Sequence, residues 1–339
     1  GNAFLEADIL KNLKFKTSLG IDYDNIFVRD IYPVFERGIA RNAVGELRET
    51  QLTNTNLTWT NSVVYNKTFN QHSLSILAGT EYIQNNMRSF FGFGKDFALN
   101  SDSYYQLDAA AGERSSGGNA GGYKLFSYFG KANYNFDARY LLAATLRRDG
   151  PSRFGAENRF AYFPAISAGW RIASEKFMKN VSWLSNLKLR IAWGQTGNQD
   201  ILNDARFQLY KAVYAPPSVY LPWGAGCTQT FCANAPTAYD IYNNNGGNLP
   251  SGFLATQTGN QSLKWETTTE TNVGIDFGVL RDKFTGSVEL FRKETNDILI
   301  QASQPGTYGD GSNRWTNGAS MEIQGYEVTL TYNSEAKGN

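Results

Sequence analysis

Apolar and polar residues alternate along many segments of this chain, and the segment 12–24 is the clearest example. A period of two places successive side chains on opposite faces of a β-strand. One face of this strand would carry Leu13, Phe15, Thr17, Leu19, Ile21 and Tyr23. The other face would carry Lys14, Lys16, Ser18, Gly20, Asp22 and Asp24. The pattern therefore predicts a sheet with one apolar and one polar face.

Ten segments follow this pattern closely enough to be predicted as strands. They are 12–24, 53–69, 72–84, 123–136, 140–149, 160–172, 186–195, 263–278, 283–295 and 322–332. The connections near 70–71, 137–139, 174–185 and 279–282 are short or moderate, and they alternate with mostly longer ones at 25–52, 88–122, 150–159, 196–262 and 296–321. In outer-membrane barrels, short turns face the periplasm and long loops face outside. The sequence therefore predicts an all-β fold: a transmembrane antiparallel β-barrel wall of about ten strands, with long extracellular loops and short periplasmic turns.

The apolar row of each predicted strand is expected to face lipid, and the polar row a wet interior. In the segment 263–278 this assigns Trp265, Val273, Ile275 and Phe277 to the lipid side. Pro164 lies inside the pattern of 160–172, and because proline cannot donate to a ladder hydrogen bond, a β-bulge is predicted there.

A soluble extracellular carbohydrate-binding β-sandwich is the alternative, because every two-faced sheet has a period of two. Aromatic residues near the turn ends favour a membrane barrel over a sandwich. Charged polar rows on strands longer than the usual five or six residues also favour the barrel. The mean hydropathy of −0.42 is compatible with a barrel, since only every second position must be apolar. No run approaches the ~20 apolar residues that a spanning helix needs, which excludes a helical membrane protein.

The composition points away from catalysis and from nucleic acid. Charge is nearly balanced, with 32 Lys+Arg and 31 Asp+Glu, so no nucleic-acid partner is expected. The single histidine, His72, follows a short turn and is predicted at the periplasmic rim, so that a Ser–His–Asp or Cys–His arrangement is nearly excluded. The Gly-rich segment 112–123 lacks the Lys-Ser/Thr of a phosphate loop and is predicted to be a flexible outer loop. We expect no enzymatic activity, no cofactor and no metal site.

The predicted outer loops contain two cysteines and a set of aromatic residues. Cys227 and Cys232 lie in the longest loop, where an extracellular setting favours a disulfide over two unpaired thiols or a metal site. The aromatic candidates for contact with a ligand or partner are Phe90, Phe91, Tyr104, Tyr105, Tyr214, Tyr220, Trp223 and Trp315. They could stack on sugar rings or anchor a peptide or a protein lid, or they could pack among themselves.

Three blocks of sequence carry a resemblance to a known family. Residues 127–200 contain YFGKANYNF, RYLLAATLRRDGPSRFG, FPAISAGWRI, WLSNLKLR and GQTGNQ. Residues 263–299 contain LKWETTTETNVGIDFG and FTGSVELFRKETNDIL, and residues 317–330 read NGASMEIQGYEVTL. In content and order these blocks resemble the barrel of SusC/RagA-type TonB-dependent transporters, the large nutrient importers of Gram-negative outer membranes.

The resemblance implies a place in the cell, a set of partners and a cargo. The chain would lie in the outer membrane, in contact with its lipid, and would import a glycan or peptide nutrient. A SusD-like surface lipoprotein would cap its outer loops, and TonB would act through regions outside this chain. Because the family barrel has about twenty-two strands and an N-terminal plug, residues 1–339 are expected to be part of one barrel domain without signal, plug or C-terminal strands. A passive outer-membrane pore or an adhesive barrel remains a further alternative.

Overall fold

The computed structural model describes residues 1–213, 252–303 and 313–334, and these residues are almost entirely β-structure. The strands are β1 (Asn2–Leu10), β2 (Leu13–Tyr32), β3 (Phe35–Arg37), β4 (Ala40–Asn42), β5 (Glu46–Phe69), β6 (His72–Lys95), β7 (Arg114–Phe136), β8 (Tyr140–Pro151), β9 (Ala161–Arg171), β10 (Leu184–Asn198), β11 (Leu209–Val213), β12 (Gly252–Gln257), β13 (Glu266–Val279), β14 (Phe284–Ala302) and β15 (Arg314–Tyr332). Three short 3₁₀ turns occur at Leu107–Ala109, Ile172–Ser174 and Lys176–Met178. Within the described ranges, no helix is long and apolar enough to cross a bilayer.

Eleven of these strands form one antiparallel sheet in the order β1-β2-β5-β6-β7-β8-β9-β10-β13-β14-β15. Each strand therefore pairs with its neighbours along the chain, apart from the small hairpins β3–β4 and β11–β12, which lie in two of the long connections. Short connections alternate with long ones, as the sequence predicts, except that the connection 172–183 is longer than the connection 152–160 on the long-loop side. We call the two ends of the sheet the short-turn end and the long-loop end.

All ten predicted segments correspond to strands of the large sheet, and the sheet contains an eleventh, β1. Several strands also extend beyond their predicted ends. The prediction of a loop over 88–122 is wrong at both sides, because β6 continues to Lys95 and β7 begins at Arg114. The Gly-rich segment is thus paired strand and not a flexible loop, with Gly94 opposite Arg114. Its Gly and Ser residues give no alternating signal, and the ladder hydrogen bonds to β6 hold it extended.

The predicted β-bulge at Pro164 is also wrong. The pairing of β8 with β9 runs from Tyr140↔Trp170 to Asp149↔Ala161 without a register shift. On the other side, the pairing of β9 with β10 ends at Gly194↔Ala165, so Pro164 is the first residue beyond it. The proline therefore lies where the strand has only one partner, so its missing N–H interrupts no second ladder.

Strand registers bring like residues together and give the sheet two distinct faces. Leu19 lies opposite Trp59, and Ile191 opposite Val273, on what we call the apolar face. Ser18 lies opposite Thr60, and Lys188 opposite Asp276, on the polar face. No second sheet covers the apolar face within the described residues, and Leu19 is 43% exposed. A two-layer sandwich would bury this row, so the arrangement is that of a barrel wall.

Aromatic side chains gather at the short-turn end. The His72 ring stacks on Phe69, with centroids 4.8 Å apart, and lies 4.8 Å from the ring of Phe136. Its Nδ1 is 2.7 Å from the Tyr134 hydroxyl. His72 thus lies at the short-turn end, where the sequence predicts it, and a periplasmic location of this rim stays a prediction.

The two faces can be tested with neighbouring residues of β2. We expect Leu19→Arg to lower the stability of the folded protein by about 2–4 kcal/mol, since its charge would face hydrocarbon near mid-membrane. Urea-induced unfolding in lipid vesicles, followed by tryptophan fluorescence, measures the difference.

Ser18→Arg is the matched control, because the adjacent side chain points to the polar face beside Asp22. It should change stability far less. Equal losses in the two variants would contradict the face assignment.

Candidate functional site

One arginine links three strands on the polar face near the long-loop end. Arg147 of β8 contacts Glu81 of β6 through Nη2–Oε1 at 2.7 Å and Asp149 through Nε–Oδ1 at 2.7 Å. The same Nη2 donates to the Ser127 hydroxyl of β7 at 2.9 Å. The register places Glu81, Ser127 and Asp149 in one row across the three strands, so the ion pairs follow directly from the pairing. Charge-assisted hydrogen bonds of this kind are short and directional.

A second network joins β10, β13 and β14 further along the sheet. Arg190 contacts Asp276 through Nε–Oδ1 at 3.1 Å and Glu289 through Nη2. Asn272 donates to the other Glu289 oxygen at 3.1 Å. Gly274 lies opposite Arg190, and a Cβ there would come within 2.9 Å of the guanidinium carbon. The glycine thus leaves the room that the guanidinium fills.

Between the two networks the polar face is lined by small side chains. They form two adjoining depressions, which share Ala143, Ser167, Ala192 and Asn272 and also include Thr145, Ala165, Gly169 and Gly194. We call this surface the small-residue trough. Of its charged groups, Lys188 and Arg190 contact carboxylates, whereas Lys131 and Glu270 have no ion-pair partner among the described residues.

Loop residues pack over the polar face at the long-loop end. This outer-end cluster consists of Leu125, Phe154, Phe163, Ile201, Ala205, Leu263 and Trp265. Phe154 is fully buried, and its ring centroid lies 5.4 Å from that of Trp265. The Trp265 indole donates to the Arg159 carbonyl at 3.0 Å. The expectation that Trp265 faces lipid is therefore wrong: it precedes β13 and turns inward, where three connections bury it.

The predicted loop aromatics lie in different places. Phe90 and Phe91 belong to β6 and Trp315 to β15, not to loops, and Arg48 stacks on Phe91 at 4.0 Å. Tyr104 is exposed in the connection 96–113. Its neighbour Tyr105 is 1% exposed, packs on Phe97 and donates to Asn100 Oδ1 at 2.8 Å, so it supports the loop from within. Tyr214, Tyr220, Trp223, Cys227 and Cys232 lie outside the described residues.

A compact polar cluster at the short-turn end is absent from the sequence-based expectations. Glu175, 8% exposed, accepts hydrogen bonds from the Tyr140 hydroxyl at 2.6 Å, the Trp170 indole at 3.0 Å and Arg139 Nη1 at 2.9 Å. Arg139 also pairs with Asp137. We call this the rim cluster. It fastens the connection 172–183 to the turn between β7 and β8. Nothing in the alternating pattern marks Glu175, because it lies outside a strand.

The same contacts determine how Glu175 titrates. Hydrogen bonds from Tyr140 and then Trp170, with the nearby Arg139 charge, hold the pKa of the Glu175 carboxyl below its ordinary value. No group of three or more His, Cys, Asp or Glu side chains suited to a metal ion occurs in the ranges that the structure covers.

The rim cluster should make stability depend on pH. A carboxyl with a lower pKa in the folded than in the unfolded state contributes stability above the unfolded value of about 4.3, and this is lost as the pH falls through the folded value. We expect acidification from about pH 5 to about pH 3 to destabilise the protein less in Glu175→Gln than in the parent. Denaturant unfolding across this range measures it.

Lys179→Gln is the control, because Lys179 is exposed in the same connection. It should retain the pH dependence of the parent. A Glu175→Gln variant that loses stability on acidification as steeply as the parent would argue against the cluster.

The second network predicts a loss of stability when its centre is removed. Arg190→Gln leaves two carboxylates facing each other and should lower the free energy of unfolding by about 1–3 kcal/mol. Lys188→Gln is the comparison, because Lys188 lies 3.9 Å from Asp276 and contributes one long contact. Its effect on urea unfolding should be clearly smaller. If it were as large, Arg190 would not be the centre of the network.

Comparison with known proteins agrees with this architecture. The family model for the TonB dependent receptor-like β-barrel matches residues 5–337. The TonB-dependent receptor SusC of Bacteroides thetaiotaomicron is 33% identical over 275 residues, which cover 81% of this chain and 24% of that protein. TonB-dependent receptor P3 of Formosa agariphila is 27% identical over 332 residues, which cover 97% of this chain and 30% of that protein.

Solved structures share the fold. A structure of the RagAB peptide transporter superposes with a TM-score of 0.80 at 24% identity, over 99% of this chain and 34% of that chain. The chain thus spans about a third or less of the length of these relatives. Since the family model matches nearly every residue, this chain belongs to the TonB-dependent receptor-like β-barrel family.

Proposed function

We propose that this chain is part of the barrel wall of a SusC-like, TonB-dependent importer in the outer membrane of a Gram-negative bacterium. The observation that carries the proposal is the two-faced sheet: an uncovered apolar face for lipid, and a polar face that carries charged and hydrogen-bonding side chains. A wall of this kind separates hydrocarbon from an aqueous passage. The 33% identity to a TonB-dependent receptor named SusC supports the type of importer.

The polar face would line the passage. Arg147 and Arg190 are each bound by two carboxylates, so these two cations present little net charge to a passing solute. The small-residue trough between them leaves room and offers hydroxyl and amide groups. These properties suit an uncharged or zwitterionic solute, and we infer that the nutrient is an oligosaccharide or a peptide. The RagAB relatives are described as peptide transporters, which supports the second class.

The long-loop end would dock a SusD-like surface lipoprotein. The outer-end cluster buries Phe154 and Trp265 and thereby holds three connections in fixed positions, so a partner would meet a preorganised surface. Preorganisation lowers the entropy lost on association. Phe90 and Tyr104 are exposed on the part of the wall formed by β6 and its loop, and they are candidate contacts.

Energy would come from a TonB complex acting on parts of the protein outside these 339 residues. The proposal of active import is distinct from a passive pore or an adhesive barrel, because only active import requires TonB. In cells that depend on the whole protein for a defined oligosaccharide or peptide, disruption of TonB should abolish uptake. Uptake that persists without TonB would indicate a passive pore. Growth that is unaffected by deletion of the protein would argue against both active import and a passive pore for this nutrient.

The passage itself can be tested with two adjacent residues of β10. Ala192 lies in the small-residue trough, whereas Ile191 points to the apolar face. We expect Ala192→Trp to slow uptake of the nutrient severalfold by narrowing the passage, at an unchanged amount of protein in the outer membrane.

Ile191→Trp is the matched control, since an aromatic ring on the lipid side is well tolerated. It should leave uptake near the parental rate. Slower uptake in Ile191→Trp than in Ala192→Trp would contradict the assignment of the passage to the polar face.

A further inference from the structure

Two arginines lie on the apolar face at the same height above the short-turn end, and they have different partners. Arg148 of β8 and Arg292 of β14 each follow by eight residues the aromatic residue that begins their strand, Tyr140 and Phe284. Arg292 is paired with Glu322 of β15, at 2.9 Å. Among the described residues, Arg148 has no carboxylate partner. The neighbouring Asp149 points to the opposite face, where it binds Arg147.

Arg148 is held in place by aromatic rings. Its guanidinium carbon lies 4.1 Å from the centroid of Phe160 and 5.6 Å from that of Tyr162. Phe160 crosses over Gly150, where any Cβ would collide with the ring. Stacking fixes the plane of a guanidinium and leaves its N–H edge free to bind an oxyanion in a bidentate manner.

Two tyrosines flank the arginine directly. Tyr128 of β7 and Tyr162 of β9 are its register partners on either side, so the three side chains form one row across three strands. Tyr128 is 47% and Tyr162 58% exposed. Each offers a hydroxyl donor beside the cation. We call this row, with Phe160, the Tyr-Arg-Tyr row.

The height of the row corresponds to the outer margin of the membrane. Eight residues at about 3.3 Å each, on strands tilted by about 40°, place Arg148 roughly 20 Å above the short-turn girdle. The apolar band of such barrels is about 25 Å tall, so a side chain reaching upward meets the headgroup region of the outer leaflet. The dominant anion at that level is a lipid phosphate. An arginine that faces lipid is normally paired, and here the missing partner is available from the bilayer.

We propose that the Tyr-Arg-Tyr row binds the phosphate of an outer-leaflet lipid, with the guanidinium of Arg148 as the anion ligand and the tyrosine hydroxyls as additional donors. The proposal rests on the proposed place in the outer membrane, and it does not depend on what is imported. The site lies on the face opposite the passage, so lipid binding and nutrient uptake are separate readouts.

The test uses the whole protein that contains this chain, purified in detergent and titrated with lipid A by native mass spectrometry. Arg148→Gln should weaken lipid A binding by about tenfold or more, as expected for loss of a charge-assisted hydrogen-bonded pair. Arg292→Gln is the matched control and should stay within about twofold of the parent, because Arg292 already has an internal partner. Lipid A stripped of its phosphates should bind parent and Arg148→Gln equally weakly.

Two further experiments distinguish lipid phosphate from free phosphate and control for misfolding of the variants. Inorganic phosphate at millimolar concentration should not displace lipid A, since the acyl chains hold the lipid against the apolar face. Displacement by inorganic phosphate alone, or equal weakening by Arg148→Gln and Arg292→Gln, would overturn the proposal.

Arg148→Lys keeps the positive charge but loses the stacked, forked geometry of the guanidinium, and it should bind lipid A with intermediate affinity. Parental affinity in Arg148→Lys would refute the role of that geometry. Unchanged lipid binding in a protein that fails to import its nutrient would count against the importer and not against this site.

Discussion

The structure depends on the need to pair every backbone N–H and C=O group of a strand that crosses hydrocarbon. Within a bilayer no water is available to satisfy an open ladder, so the interior strands must each have a neighbour on both sides. The uninterrupted registers of β5 with β6 and of β6 with β7 meet this requirement over more than twenty residues. Once pairing is continuous, the period of two divides every strand between the same two faces. A slip of one residue would exchange lipid-facing and water-facing side chains along the whole strand.

The division between the faces explains where charge is tolerated. On the polar face, Arg147 binds Asp149 of its own strand and Glu81 of β6, and Arg190 binds Asp276 of β13 and Glu289 of β14, so each arginine reaches a carboxylate two strands away. On the apolar face, Arg292 obtains a carboxylate from β15, whereas the partners of Arg148 within the described ranges are aromatic rings. The two ends of the wall are stabilised in other ways: an apolar cluster of loop and strand residues at one end, and the hydrogen-bonded Glu175 at the other.

Most of the wall could be predicted from the sequence because its signal is local. The alternation in residues 13–23 requires no knowledge of partners, and the same holds for Leu189 and Ile191 in β10. The Gly-rich start of β7 could not be predicted in this way, since Gly and Ser carry no facial preference and the strand exists only through pairing with β6. Trp265 shows the opposite error. Its position in the alternating pattern predicts that it faces lipid, but the residue precedes β13 and packs in the outer-end cluster.

The sequence by itself determined the class of fold, the alternation of shorter and longer connections, and, in the ten predicted strands, which residues belong to an apolar and which to a polar row. The period of a strand and the chemistry of turns depend on residues that are neighbours in sequence, so they can be predicted from the sequence. Only the tertiary structure decided which charges meet. Arg147 and Arg148 are adjacent and identical in kind, yet one is bound by Glu81 and Asp149 while the other lies between two tyrosines on the far side of the sheet. Asp149 is two residues away on the same strand, but Glu81 and both tyrosines come from other strands, and for them pairing register, not sequence distance, brings the groups within reach.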